Sequence, residues 1–219
     1  MRDRIDRREF LSIAGRYSLY SAMAFGFGCT VSKVVDDTRR VAIIYGSKYG
    51  ATGDTAHWIR EGIGKGAVAF DIDAISPSRI ISNYDLFLIG SGIWMDGVHP
   101  RMIELLDENA MEMEKRIIAS FIVCLTDPST VQGRERITGY FEQFHDKLEG
   151  QPVFNRAFGG RVVIDQLTPE DRIQLVEFYR KYLNAELRDW DRTDPEGARG
   201  FGNEMNVSFI NRPEQIKQS

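Results

Sequence analysis

The feature that most constrains the fold is a series of five apolar runs that alternate with segments of helical periodicity. The runs cover residues 41–45, 67–72, 84–90, 116–125 and 157–164. The first and the third are apolar along both faces, which is typical of strands covered by two layers. Because parallel strands need crossover connections, this alternation predicts an α/β protein: a five-stranded parallel sheet with helices on both faces.

The segment after the fifth run predicts the last helix of this series. Thr168 is a residue type that caps helices, and Pro169 and two acids follow it. The predicted apolar stripe of this helix consists of Ile173, Val176, Tyr179 and Leu183. Gly159 and Gly160, inside the fifth run, predict that something approaches the chain closely there.

The loop after the first run combines glycines with hydroxyl side chains. Its residues are Ser47, Lys48, Tyr49, Gly50, Ala51 and Thr52. Such a loop directs free backbone N–H groups and hydroxyls to one point, and the dipole of the following helix favours an anion there. The spacing matches neither the dinucleotide fingerprint nor the P-loop. The loop therefore predicts a phosphate site, and the alternative is an ordinary strand–turn–helix.

This loop resembles the phosphate loop of flavodoxin-like proteins, Ser/Thr-x-x-Gly-x-Ser/Thr, which holds the phosphate of FMN. Residues 90–99 resemble the corresponding segment of the branch that contains the menaquinone-dependent protoporphyrinogen oxidase. The resemblance spans residues 41–185 and implies a flavodoxin-like, three-layer fold with the strand order 2-1-3-4-5. Tyr49 departs from the pattern, since flavodoxins more often carry Thr or Ser there.

The resemblance also implies FMN as the cofactor, bound by three loops. The first is the phosphate loop. The loops after the third and fourth runs contribute Ser91, Gly92, Ile93, Trp94, Met95, Gly97, Thr126 and Asp127. Trp94 or Met95 is expected to lie against the flavin ring, and the alternative for Trp94 is to pack on the neighbouring loop. His99 is predicted to be structural, with proton transfer as the alternative.

The N-terminus carries features of an export signal. Residues 6–11, which contain Arg7 and Arg8, resemble a twin-arginine signal, and a weakly apolar stretch follows them. Cys29 comes next and is a lipidation candidate. Lipidation, or the uncleaved signal, would attach the protein to a membrane. We therefore expect export to the periplasm or to the outer face of the cytoplasmic membrane. The alternative is a cytoplasmic protein with an N-terminal extension.

These features predict a division of the chain into three parts. Residues 1–35 form the export signal and linker, residues 40–186 the FMN-binding domain, and residues 187–219 a C-terminal extension. The formal net charge of −4 argues against a nucleic-acid partner. Cys29 and Cys124 are the two cysteines; they form no disulfide framework, and no Cys/His cluster indicates a metal.

The flavin carries the chemistry in a domain of this kind, so no catalytic side chain is assigned. We expect an exported FMN oxidoreductase or electron carrier that works with a quinone or a redox partner protein. One alternative is a protoporphyrinogen oxidase-like dehydrogenase. Residues 165–171 count against it, because that family has a long, basic and aromatic segment there. The other alternative is a non-enzymatic flavodoxin-like binding module, for which Tyr49 is the one hint.

Overall fold

The structure is a computed structural model that describes residues 39–148 and 154–210. Five parallel strands form its main sheet: β1 Val41–Gly46, β2 Ala67–Asp71, β3 Leu86–Gly92, β4 Ile117–Cys124 and β5 Phe154–Gly159. Their order is β2-β1-β3-β4-β5, so the predicted fold class and strand order are confirmed. The predicted export signal and Cys29 lie outside the described residues.

Six α-helices connect and cover the strands within the described residues. They are α1 Ala51–Ile63, α2 Pro77–Asn83, α3 Pro100–Met113, α4 Val131–His145, α5 Pro169–Phe178 and α6 Pro195–Met205. Short turns of 3-10 helix cover Ile72–Ala74, Glu114–Arg116 and Ile164–Gln166, and π-helical turns cover Tyr179–Leu183 and Asn206–Ile210. None of the helices in this part of the chain has the length and apolar character needed to cross a bilayer.

Alternate residues of β1 face the two layers of helices. Val41 and Ile43 pack with α1 and α6, whereas Ala42 and Ile44 pack on the opposite side with α2, α3 and α4. All four residues are fully buried. Because both sides of the strand meet apolar helices, its sequence is an unbroken apolar run.

The last helix of the core differs from the one predicted. The helix that Thr168 caps, α5, does form, but Ile173 of its predicted apolar stripe is 62 % exposed. The core position is taken by α6, whose Phe201 is buried in the layer that it shares with α1. The compact domain therefore extends past the predicted boundary at residue 186, to residue 210.

Glycines bring α6 into direct contact with α1. A Cβ added to Gly202 would lie 2.1 Å from the carbonyl oxygen of Ile59, and one added to Gly62 would lie 2.0 Å from that of Arg199. Distances this short exclude any side chain at either position. The glycine content that makes the tail look like an irregular extension is thus what allows the two helices to pack.

Gly202→Ala is therefore expected to lower the free energy of unfolding by about 1–3 kcal/mol, because backbone atoms of α1 must move. Gly200, in the same helix, is the matched control, since a Cβ added there meets nothing within 4 Å. Gly200→Ala is expected to stabilise the protein by about 0.5–1 kcal/mol through helix propensity. Urea unfolding of both variants measures the difference. Equal effects would contradict this account of the helix contact.

The fifth run forms two strands instead of one. After β5 the chain turns at Gly160, whose amide donates to the carbonyl oxygen of Cys124 at 3.1 Å. The next strand, β6 Arg161–Val162, pairs antiparallel with β7 Trp190–Asp191. A Cβ added to Gly159 would lie 2.3 Å from the carbonyl oxygen of Arg192, which confirms the predicted close approach.

Candidate functional site

The β1–α1 loop is compact and ordered around one hydroxyl. Ser47 Oγ accepts hydrogen bonds from the amides of Gly50 at 3.1 Å and Gly53 at 3.4 Å. Gly50 has a φ of 85°, a left-handed conformation that glycine adopts without steric cost. The amide of Asp54 donates to the Gly50 carbonyl oxygen at 2.9 Å, which begins the α1 hydrogen-bond pattern. Between the two amides that Ser47 engages, those of Ala51 and Thr52 have no carbonyl partner within the helix and are suited to an anion.

The β3–α3 loop contains a tight hairpin. The amide of Trp94 donates to the carbonyl oxygen of Gly97 at 2.9 Å, and the amide of Gly97 donates back to Trp94 at 3.0 Å. Met95 and Asp96 at its tip have φ values of 50° and 62°. Two consecutive left-handed residues that are not glycine are strained, and such strain persists only where the surroundings hold it.

Side chains of α4 hold this hairpin. Tyr140 donates its hydroxyl to Asp96 Oδ1 at 2.6 Å, and Gln143 Nε2 donates to the Asp96 carbonyl oxygen at 3.0 Å. Gln143 Oε1 also accepts from the amide of Val98 at 3.1 Å. Sequence reasoning missed Tyr140 and Gln143, because they lie more than 40 residues beyond the hairpin and match no motif.

The same tyrosine joins the hairpin to the β4–α4 loop. Thr126 Oγ1 donates to the Tyr140 hydroxyl at 3.5 Å, so a chain of hydroxyls runs from Thr126 to Asp96. Burial, together with the hydrogen bond to Asp96, raises the pKa of Tyr140 to about 12. The Tyr140 phenol therefore stays neutral near pH 7 and joins Thr126 to Asp96 by hydrogen bonds. The carboxylate of Asp127 accepts from the Ser129 amide at 2.8 Å and so stabilises its own loop.

Trp94 lies against the β1–α1 loop. Its ring centroid is 5.6 Å from that of Tyr49, and Lys48 Nζ lies 4.3 Å from the Trp94 ring centroid. The structure thus shows the alternative for Trp94, packing on the neighbouring loop. The flavin contact stays a prediction. These contacts bring the loops after β1 and β3 together at one edge of the sheet, and Tyr140 joins the loop after β4 to them.

A buried carboxylate of α5 holds the β1–α1 loop through two hydrogen bonds. Asp171, at the start of α5, is 6 % exposed and accepts from Lys48 Nζ at 2.8 Å and from the hydroxyl of Tyr49. The amide of Thr168 donates to the Tyr49 hydroxyl at 3.3 Å. Burial by itself raises the pKa of Asp171, but the hydrogen bonds from Lys48 and Tyr49 outweigh it and lower the pKa. Tyr49, the residue that departs from the flavodoxin-like pattern, therefore has a structural partner.

Ser91 and His99 fix the base of the β3–α3 loop. Ser91 is fully buried, and its hydroxyl accepts from the His99 amide at 2.7 Å and donates to the Gly92 carbonyl oxygen at 2.8 Å. His99 Nε2 lies 3.4 Å from Asp73 Oδ2, and a Cβ on Gly46 would lie 2.5 Å from the His99 side chain. These contacts support the structural role predicted for His99. The Ser91 hydroxyl makes both of its hydrogen bonds within the protein.

A second side chain that the sequence did not indicate lies beside the phosphate loop. Arg161 Nη1 is 2.6 Å from Asp54 Oδ2, and Arg161 Nη2 is 3.4 Å from the position of a Cβ on Gly50. The β6–β7 pairing places Arg161 there. The one available signal is its position directly after the paired glycines.

A polar trio elsewhere, of which Ser120 and His145 are buried and Asn155 is exposed, looks like hydrolytic machinery. Ser120 Oγ lies 3.4 Å from His145 Nε2, but it donates to Asn155 Oδ1 at 2.6 Å. Ser120 is fully buried and His145 is 9 % exposed, so no substrate reaches the hydroxyl. The described residues also contain no group of three or more His, Cys, Asp or Glu side chains that could hold a metal ion.

Comparisons with known proteins agree with this geometry. A family model described as a flavodoxin domain matches residues 42–186. No curated protein matches the chain significantly. The match to the family model covers more than half of the 219 residues.

The chain also has partial similarity to several solved structures. A metal-soaked flavodiiron core from Synechocystis is 16 % identical over 78 % of this chain and 36 % of that one, with a TM-score of 0.48, so this chain spans about a third of it. A flavodoxin from the domain Archaea is 12 % identical over 77 % of this chain and 96 % of that one, with a TM-score of 0.46. A WrbA-like flavodoxin from Agrobacterium tumefaciens is 14 % identical over 78 % and 96 %, with a TM-score of 0.45. By its match to the family model, the chain belongs to the flavodoxin domain family.

Proposed function

We propose that the protein binds FMN and acts as an exported oxidoreductase or electron carrier that exchanges electrons with a quinone or a partner protein. The observation that carries the FMN assignment is the compact β1–α1 loop in a member of the flavodoxin domain family. A phosphomonoester needs several converging donors and a favourable dipole, and this loop offers both.

The residues present fit the phosphate of FMN. The amides of Ala51 and Thr52 precede the first hydrogen bond of α1 and are free of helical partners. The Ser47 hydroxyl holds the neighbouring amides in place. A Cβ added to Gly92 would lie 2.7 Å from Thr52 Oγ1, so glycine there lets the β3 end pack against the loop. Residues 47–52 would therefore hold the phosphate.

The hairpin after β3 fits the flavin ring. Trp94 and Met95 would lie along it, and Met95 is 56 % exposed and free to contact a ligand. Tyr140 and Gln143 fix the hairpin backbone in advance, so little ordering is needed on binding. FMN supplies reversible one- and two-electron transfer when it is bound, and the chain's own residues bind it and orient it.

The contacts of α5 concern both alternative functions, the protoporphyrinogen oxidase-like dehydrogenase and the non-enzymatic binding module. Residues 165–171, where the protoporphyrinogen oxidase branch differs, run from a 3-10 turn into the first turn of α5 and hold Lys48 and Tyr49 through Asp171. No observation in the described part of the chain favours a porphyrin substrate. Tyr49 was the one hint of a decayed site, and its bond to Asp171 gives it a role in an intact loop.

Purified full-length protein tests the FMN proposal. We expect a yellow protein with the two visible flavin absorbance bands, which dithionite bleaches, or a colourless protein that acquires both bands on titration with FMN. Reduction of a quinone without turnover of a porphyrin would support the proposed electron transfer over the dehydrogenase alternative. A colourless protein that does not bind added FMN would contradict the proposal.

Export is a separate part of the proposal and rests on the sequence of residues 6–11. Replacing Arg7 and Arg8 together by Lys is expected to keep the protein in the cytoplasm, because twin-arginine recognition depends on the guanidinium pair. Cell fractionation with an antibody measures the distribution. Replacing Arg2 and Arg4 by Lys is the matched control, and equal distributions of both variants would contradict the export assignment.

A further inference from the structure

Two cations lie beside the β1–α1 loop, and each is paired with a carboxylate. Lys48 pairs with Asp171 at 2.7 Å, and Arg161 pairs with Asp54 at 2.6 Å. The two carboxylates differ in exposure: the side chain of Asp171 is 8 % exposed, whereas that of Asp54 is 41 % exposed. This difference decides which cation can exchange its partner.

Lys48 is held by its partner. Releasing it would leave the Asp171 carboxylate buried without a counter-ion, which is strongly unfavourable. Arg161 has no such constraint, because water solvates the Asp54 carboxylate once the ion pair opens. Arg161 is therefore the cation that can turn to an incoming anion at low cost.

The position of Arg161 fits this role. Its guanidinium has two arms: Nη1 contacts Asp54, and Nη2 lies 3.4 Å from the position of a Cβ on Gly50, at the N-terminus of α1. The hydrogen bonds of Asp191, the strand partner of Arg161, go to Thr193: its carboxylate accepts from the Thr193 amide at 2.8 Å and from the Thr193 hydroxyl at 2.6 Å. These bonds lower the pKa of Asp191 most, and the nearby charge of Arg161 lowers it further, so Asp191 attracts Arg161 only through space. A forked donor of this kind matches the oxygens of a phosphomonoester.

We infer that Arg161 binds the phosphate of the flavin and selects FMN over riboflavin, its unphosphorylated parent, by exchanging Asp54 for the phosphate. This inference rests on the proposed function, since it assigns a selecting residue to the same site. The segment between β5 and α6 then contributes two residues to the site. Asp171 holds the β1–α1 loop in place, and Arg161 provides the positive charge that binds the phosphate.

The test is the ratio of the dissociation constants for riboflavin and FMN, measured by fluorescence titration of the full-length protein. Arg161→Gln is expected to weaken FMN binding about 10- to 100-fold, the loss of one charge-assisted contact, and to change riboflavin binding less than about 2-fold. The FMN affinity of this variant should also depend less on salt concentration. Arg199→Gln is the matched control. It removes a half-exposed arginine paired with Glu61 at 2.8 Å, near the other end of α1, and should leave the ratio unchanged.

The freed Asp54 carboxylate could by itself repel the phosphate in Arg161→Gln. The double variant with Asp54→Asn separates the two effects, and we expect it to keep the low ratio. A wild-type ratio in the double variant would overturn the inference.

Four further results would overturn it. One is that Arg161→Gln weakens the binding of FMN and of riboflavin equally, and another is that it weakens the binding of neither flavin. Each of these two results leaves the proposed function intact. A wild-type protein that binds neither flavin would remove the proposed function together with the inference. If Arg161→Gln does not fold, the same ratio of dissociation constants is measured for Arg161→Lys. A point charge in place of the fork is expected to lower the ratio about 3- to 10-fold, and an unchanged ratio overturns the inference.

Discussion

Replacing Gly50 by valine is expected to weaken FMN binding by about 100-fold, equivalent to ~2.7 kcal/mol. Gly50 has a φ of 85°, and a β-branched residue cannot adopt this conformation without strain. The loop would relax to another conformation, and the amides that Ser47 gathers would no longer converge. The added side chain would also approach Arg161 Nη2, which is 3.4 Å from the Cβ position. Fluorescence titration with FMN measures the loss.

Gly64 provides the matched control for this variant. It follows α1 with a φ of 86°, and a Cβ there meets only Asn206 Nδ2, at 4.0 Å. Gly64→Val therefore also introduces backbone strain, at a φ of 86° and a ψ of −146° that suit glycine alone, with a loss of stability of about 1–3 kcal/mol. Its affinity for FMN should stay within about 3-fold of wild type. If both variants lose FMN binding equally, the effect of Gly50→Val comes from general destabilisation and not from the loop.

Replacing Asp171 by asparagine is expected to lower the free energy of unfolding by about 1–3 kcal/mol near neutral pH. The variant loses the ion pair with Lys48 and weakens the bond from the Tyr49 hydroxyl. The half exposure of Lys48 keeps the loss below that of a fully buried pair. Because both partners belong to the phosphate loop, FMN affinity should fall about 10-fold as well. Urea unfolding and FMN titration measure the two effects.

The effect of Asp171 should depend on pH in one direction. Its folded-state pKa lies below the ordinary value of 3.8, so the stabilisation is present above that value and is lost as the pH falls through the folded-state pKa. The difference between wild type and Asp171→Asn should therefore shrink in acid. Asp165→Asn, at an exposed position just ahead of α5, should change stability by less than about 0.5 kcal/mol. A constant difference at all pH values would contradict the ion pair as its cause.

The sheet and the tight turn of the β1–α1 loop were predictable because their signals are local. The run at 41–45 is a strand that apolar helices cover on both sides, and its sequence shows this directly. The order of hydroxyl, glycine and hydroxyl in residues 47–52 determines a tight turn into a helix within six positions. Patterns of this kind need no knowledge of the rest of the chain.

The supports of the site were not predictable, because they join residues far apart in the sequence. Tyr49 and Asp171 are 122 positions apart, and Asp96 and Tyr140 are 44 apart. The last core helix was misplaced for a related reason. Both helices begin with an N-cap and a Pro, at Thr168 in α5 and at Asp194 in α6. The glycines of α6 hid it, because they make the segment look irregular unless the fit of Gly202 against α1 is known.

The most direct test of the central claim is an amide proton–nitrogen correlation spectrum of the protein during titration with FMN. If the β1–α1 loop holds the phosphate, the largest shifts will fall on the amides of residues 48–53 and on the indole N–H of Trp94. Riboflavin should shift the Trp94 signal but not the loop amides. Binding of FMN that leaves the amides of residues 48–53 unmoved would contradict the account.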